Sequence, residues 1–201
     1  MATSRRAPAP ADRKRDAART REKILDAALV EFSEHGYAGA RTAAIAERAG
    51  VNQQLISYYF DGKAGLAAAL NERWRQISGG LNLSGLPLAD ILDNFLRYGM
   101  DNRAWTRLLA WQGLTGGDAD DGDHDDFFTD IVAKIREHQR AGELADDLDP
   151  AYLVLVFFAA AMAPVVLPQV ARRLTGQSTD SAEFLDAYST QTRRILDHLR
   201  D

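Results

Sequence analysis

Thr42-Ala-Ala-Ile45-Ala-Glu-Arg-Ala49-Gly50-Val51-Asn52-Gln53-Gln54-Leu55-Ile56-Ser57-Tyr58-Tyr59-Phe60 is the stretch on which the reading of this chain turns. Two short helices, about 42–48 and 52–59, flank Ala49-Gly50-Val51. Thr42 is placed to cap the first, Gly50 permits a tight turn, and Ile45, Val51 and Ile56 fall where the pair packs together. This is a helix-turn-helix pattern, whose second helix shows its N-terminal end to the DNA major groove. Asn52, Gln53 and Gln54 stand at that end. Amide side chains donate and accept together, so each can read an adenine edge bidentately. Tyr58 and Tyr59 offer hydroxyls to phosphate, and Lys63 offers a point charge.

Upstream, Ile24, Leu25, Ala28, Leu29 and Phe32 recur at helical spacing in a helix that begins near Arg19–Thr20 and stops at Gly36. Downstream, Asp61-Gly62-Lys63 is a turn, with Asp61 placed to cap a fourth helix running through Trp74. Gly79, Gly80, Asn82, Ser84, Gly85 and Pro87 mark a loose connection. Leu88 to Leu114 reads as two helices meeting near Asp101-Asn102. Phe127–Arg140, Ala151–Leu174 and Ser181–Arg200 read as further helices. Runs of β-branched residues are scarce, so the chain is expected to be all-α, a three-helix head followed by a helical body.

Charge supports a head distinct from a body. Residues 1–80 hold 13 Lys and Arg against 9 Asp and Glu, a net of +4; the rest hold 11 against 20, a net of −9. A basic head on an acidic remainder faces a polyanion while the body stays in solution. Hydrophobic residues make up 46% of 201, enough for a core, and the absence of cysteine excludes a disulfide scaffold and thiol catalysis. Met1 to Arg15, rich in Ala, Pro and Arg, lacks the apolar block of a secretory signal and reads as a disordered basic arm.

From about Thr20 to Leu70 the chain resembles the TetR family of bacterial regulators. Ile24-Leu25-Asp26-Ala27-Ala28, Phe32, Gly36-Tyr37, Ile45-Ala46, Ala49-Gly50-Val51 and Tyr59-Phe60 with Lys63 carry the likeness. The resemblance implies a homodimer that reads a palindromic double-stranded operator, a ligand-binding and dimerising body, no cofactor, cytoplasmic action and, as its commoner outcome, repression. The expected divisions are an arm over 1–18, a DNA-binding domain over 19–65 and a ligand-binding and dimerisation domain over 66–201. By position, Gln53 and Gln54 fall on base readers, while Tyr58, Lys63 and Thr42 fall on DNA-backbone contacts. Ala43 stands where some relatives place a basic reader, and Arg41 is taken as its substitute. Leu55 and Ser57 also depart from the family's usual Thr and Tyr, so no operator sequence carries over.

The resemblance further implies that the last two long helices form a four-helix bundle with a second copy. Phe157, Val165, Phe184, Tyr188, Ile195 and Leu199 are its expected interface. The same apolar run from Tyr152 to Pro168 is nearly long enough to span a bilayer, but Pro164 and Pro168 interrupt it, so a dimer helix is the better reading. Trp74, Phe95, Trp105, Trp111, Phe128, Phe158 and Met162 are the expected lining of an effector pocket, with an apolar or amphipathic small molecule favoured because no charged cluster interrupts the body's apolar stretches. Asp118, Asp120, Asp121 and Asp123 do not follow the calcium-loop spacing, and the four histidines form no i, i+4 pair, so no metal is expected. No nucleophile–base arrangement, paired-carboxylate motif or phosphate loop is visible, so an enzyme is not expected either. The remaining alternative is a helical small-molecule-binding protein without specific DNA binding.

Overall fold

The computed structural model describes residues 10–79, 85–115 and 125–199. All regular structure among them is α-helical: α1 (Pro10–Gly39), α2 (Thr42–Ala49), α3 (Gln54–Phe60), α4 (Gly62–Gly79), α5 (Leu88–Asp101), α6 (Arg103–Thr115), α7 (Asp125–Arg140), α8 (Pro150–Val166), α9 (Pro168–Thr175) and α10 (Ala182–Asp197). Two compact units divide between Trp74 and Arg75, inside α4.

In the first unit, α1 buries Ile24, Ala28 and Phe32, α2 buries Ile45, α3 buries Ile56 and Phe60, and α4 buries Leu66 and Leu70. Full burial of such side chains contributes roughly 1.5–3 kcal/mol each, so a small unit can hold together on these residues. Because Leu66 and Leu70 are wholly buried here, the first half of α4 belongs with the head, past the boundary expected at 65/66. Gly36 breaks α1 with φ 66°, as a stop signal requires. Gly50 closes α2 at φ 67°: it donates to the Glu47 carbonyl and Val51 donates to Ala46, pairing the last carbonyls of the helix.

Several local expectations need correction. Residues 10–18, expected in a disordered arm, are the first turns of α1; Ala11, Ala17 and Ala18 among straight charged side chains favour a helix intrinsically. Arg5 and Arg6 of that arm, and the acidic segment 116–123, lie outside the described residues. Thr42 is the first residue of α2 rather than its cap, which is Arg41. Asp61 does not cap α4; it closes α3 in a left-handed conformation, φ 56°, donating to the Ser57 carbonyl. Gly65 sits so close to the α3 terminus that a Cβ there would overlap the Phe60 carbonyl oxygen.

In the second unit, α8 packs against α5, α6, α7 and α9. Asp149 starts it, accepting the Ala151 N–H at 2.8 Å, with Pro150 next. The expected single helix Ala151–Leu174 is two helices bent by 91°, because Pro168 has no N–H to continue the ladder. Among the described residues no single helix is long and apolar enough to cross a membrane; α8 and α9 together have the length and hydropathy. One core gathers Leu92, Leu96, Ile135, Leu153 and Leu196, and a second gathers Met100, Val165 and Phe184. A polar seam joins α5 to α10. Ser189 donates to Asp93, Arg97 bridges Asp93 at 2.9 Å and Asp186 at 3.3 Å, and Arg193 meets Asp90 at 2.6 Å. Burial alone would raise the Asp93 pKa, but hydrogen bonds from Ser189 and Arg97 and the charges of Arg97 and Arg193 outweigh it, leaving the carboxyl below its ordinary range.

Candidate functional site

The start of α3 is built by hydrogen bonds before any ligand arrives. Asn52 Oδ1 accepts the Gln54 N–H at 2.9 Å, and its carbonyl accepts Leu55 N–H at 2.9 Å. Asn52 therefore does the capping, and helix φ/ψ set in just after it. Gln53 Nε2 donates to Thr42 Oγ1 at 2.9 Å, tying the start of α3 to the start of α2. Gln53, Gln54, Ser57 and Tyr58 are all exposed, and Gln54 and Tyr58 share one face at i, i+4. The result is an outward polar edge carrying Asn52, Gln53, Gln54, Thr42 and Tyr58, underlain by buried Ile45 and Ile56.

The flanks are held as firmly. Glu31, 4% exposed, accepts the Arg41 N–H at 3.3 Å, so a carboxylate sits at the positive end of α2. Arg48 reaches Glu34 at 2.8 Å and Glu31 at 3.9 Å. Glu31, Glu34 and His35 are close enough together to share an ion, but Arg48 already pairs with Glu34 and Glu31 accepts the Arg41 N–H. The Arg41 side chain itself is exposed. Lys63 Nζ donates to the Ala38 carbonyl at 3.1 Å and lies 4.8 Å from the Tyr37 ring centroid. Its ammonium is thus parked on an exposed aromatic at the end of α1. Tyr37, not among the expected contact residues, is the platform, and its place directly after Gly36 was the available signal. Tyr58 is 77% exposed, whereas Tyr59 is half-buried between the Tyr58 and Phe60 rings and serves packing.

The second unit contains an apolar cavity of about 460 Å³, counting the mouth open to solvent. Leu88, Ile91, Leu92 and Phe95 line it from α5, Ile131 and Ile135 from α7, Val154, Phe157 and Phe158 from α8, and Leu196 from α10. Of the expected pocket residues, Phe95 and Phe158 are on this wall. Phe128 stands behind it, its ring 5.6 Å from Phe158. Trp74 belongs to the first unit, Trp111 is 37% exposed, and Trp105 and Met162 do not line the cavity. The aliphatic lining on α5 and α7 was missed because Leu and Ile at helical spacing look the same whether they fill a core or border a gap.

The expected dimer residues also sort differently. Val165 and Phe184 are each 2% exposed in their own protomer's core, because the bend at Pro168 and the packing of α10 turn them inward. Phe157 lines the cavity, Tyr188 is half-buried with its hydroxyl on the Ala160 carbonyl at 2.8 Å, and Leu199 is half-buried. Ile195 alone of the six is well exposed, at 57%. The exposed apolar side chains are instead Tyr152, Leu155 and Val156 on α8 and Val170 and Leu174 on α9.

Comparison with known proteins agrees with this arrangement. The family model for bacterial regulatory proteins of the tetR family matches residues 24–70, and the tetracyclin repressor-like C-terminal domain matches residues 90–194. The HTH-type transcriptional repressor SCO4008 of Streptomyces coelicolor is 31% identical over 188 residues, covering 91% of this chain and 98% of its own. The HTH-type transcriptional regulator RutR of Escherichia coli K12 is 27% identical over 195 residues, covering 92% of each. Among solved structures, SCO4942 of Streptomyces coelicolor superposes with a TM-score of 0.70 at 24% identity, over 88% of this chain and 97% of that one. GusR of Salmonella enterica does so at 0.62 and 18%, over 88% and 95%. These two show the fold. With both halves matched and a relative aligned nearly end to end, the chain belongs to the TetR family of bacterial transcriptional regulators.

Proposed function

We propose that this regulator binds a palindromic double-stranded operator as a homodimer and represses until a small molecule enters the second unit. The observation that carries the reading is the exposed amide edge at the start of α3, with Gln53 already bonded to Thr42. Gln53 and Gln54 read bases, with Arg41 in place of the basic reader absent at Ala43, Asn52 sets the angle at which they enter the groove, and Thr42, Tyr58 and Lys63 hold phosphate. Two copies associate through Tyr152, Leu155 and Val156 of α8 and Ile195 of α10, the apolar surface the protomer leaves in water. Two heads must stand about one DNA turn apart to fill both half-sites. An effector that binds better to a dimer with another spacing shifts the population away from DNA. α4, which carries Lys63 and continues past Trp74, is the coupling element. An operator-binding role places the protein in the cytoplasm.

Selection of random double-stranded DNA on the purified full chain tests the proposal. Enrichment of an inverted repeat is the expected result, and Arg41→Ala should weaken binding to the enriched site. No enrichment at moderate salt from ligand-free protein overturns the DNA reading and leaves the alternative, a helical small-molecule-binding protein.

A further inference from the structure

The cavity in the second unit carries a statement about effector chemistry. Ile91, Leu92 and Ile135 of its wall are each 5% exposed or less, whereas Phe95, Val154, Phe157 and Phe158 are half-buried, so the cavity runs from a mouth open to solvent into the protein interior. Among the described residues no polar side chain lines it. Of the charged groups on its helices, Asp90 holds Arg193, and Asp93 and Asp186 hold Arg97, across the seam between α5 and α10. A bound molecule would therefore find no donor, acceptor or countercharge from a lining side chain. A hydroxyl buried there goes unpaired, and a carboxylate or ammonium fares far worse. Phe95, Phe157 and Phe158 bring ring faces and edges to the wall. Phe95, Phe127, Phe128 and Phe158 form a chain of edge-to-face contacts 5.3 to 6.1 Å apart. A flat aromatic extends such packing, whereas a saturated chain gains only area.

We propose that the cavity takes an uncharged alkyl-aromatic hydrocarbon, with no hydroxyl, carboxylate or amine inside it. This rests on reading the second unit as the effector-binding body, and it decides between the apolar and amphipathic classes that the sequence leaves together.

The test uses the full-length protein and three probes of one shape: 1-ethylnaphthalene, 1-naphthylacetate and 1-naphthylmethylammonium. Calorimetry and naphthalene fluorescence should show 1-ethylnaphthalene binding at least about tenfold more tightly than either charged probe. Val154→Phe, which fills the cavity, should weaken 1-ethylnaphthalene about tenfold while the melting curve stays cooperative. Phe158→Asp, at a half-buried position of the wall, should reverse the order in favour of 1-naphthylmethylammonium. Equal affinity for hydrocarbon and charged probes overturns the proposed class but leaves operator binding intact. Failure of all three probes to bind overturns it as well. Binding of 1-ethylnaphthalene with an unchanged operator complex supports the ligand class and overturns effector-controlled release instead.

Discussion

On the proposed reading, the head's amide edge and the body's cavity achieve recognition by opposite means. At the edge, polar groups are exposed and tied to one another: Gln53 to Thr42, the Gln54 N–H to Asn52, Lys63 to Ala38 and Tyr37. In the cavity, the described lining is aliphatic and aromatic side chains alone. Preplaced donors and acceptors discriminate among bases because each wrong base leaves a partner unsatisfied. An apolar wall discriminates by refusing anything that needs a partner. One site selects by what it offers and the other by what it withholds.

The sharpest way to break this comparison is to damage one side and watch the other. Phe32→Ala in the head core should destabilise that unit by about 3–5 kcal/mol and abolish operator binding. Binding of 1-ethylnaphthalene should survive, since the cavity is lined from α5, α7, α8 and α10 only. Simultaneous loss of both in calorimetry would show that the two sites are one energetic unit. Next in size, Gln53→Ala and Gln54→Ala should each cost about 1–3 kcal/mol on the selected operator and much less on random DNA, whereas Lys63→Ala should weaken both alike. Equal losses on the two DNAs for the Gln variants would remove them from base reading. Asp149→Ala should lower stability by about 0.5–2 kcal/mol through the lost α8 cap, with operator preference unchanged. Smallest is a pH effect. Because the folded Asp93 carboxyl titrates below the ordinary 3.8, its stabilising share is whole above that value and is lost as pH falls further. Acid melts of the wild type and Asp93→Asn should therefore differ at pH 5 and converge as pH falls through the lowered Asp93 pKa.

How far each site can be read in the sequence follows from the same contrast. The head is made of local signals: Gly50 for the turn, Ile45 and Ile56 for the buried side, amides at the outward start of α3. Each stands within a few residues of the feature it determines. Even there, small polar residues traded roles. Asn52, expected as one of the amides facing the groove, caps α3 with its side chain, and a carboxylate from α1, Glu31, serves α2 where Thr42 was expected to. The cavity depends on four helices failing to close completely, which no single helix records. Large aromatics attract attention in a sequence, yet Trp105 and Trp111 lie off the wall while plain Leu88, Ile91 and Ile131 form it. Two of the expected dimer residues were misjudged for a similar reason. Val165 and Phe184 follow the apolar stripe but are turned into the protomer once Pro168 bends the chain by 91°.

The Gln53–Thr42 bridge has a consequence for how operator preference can drift over generations. A single exchange at position 53 also frees the hydroxyl at 42, so two of the proposed DNA contacts change in one mutational step. Position 54 is linked through its backbone alone, and its side chain can vary independently. The adaptive landscape of this head is therefore rugged along one coordinate and smooth along its neighbour.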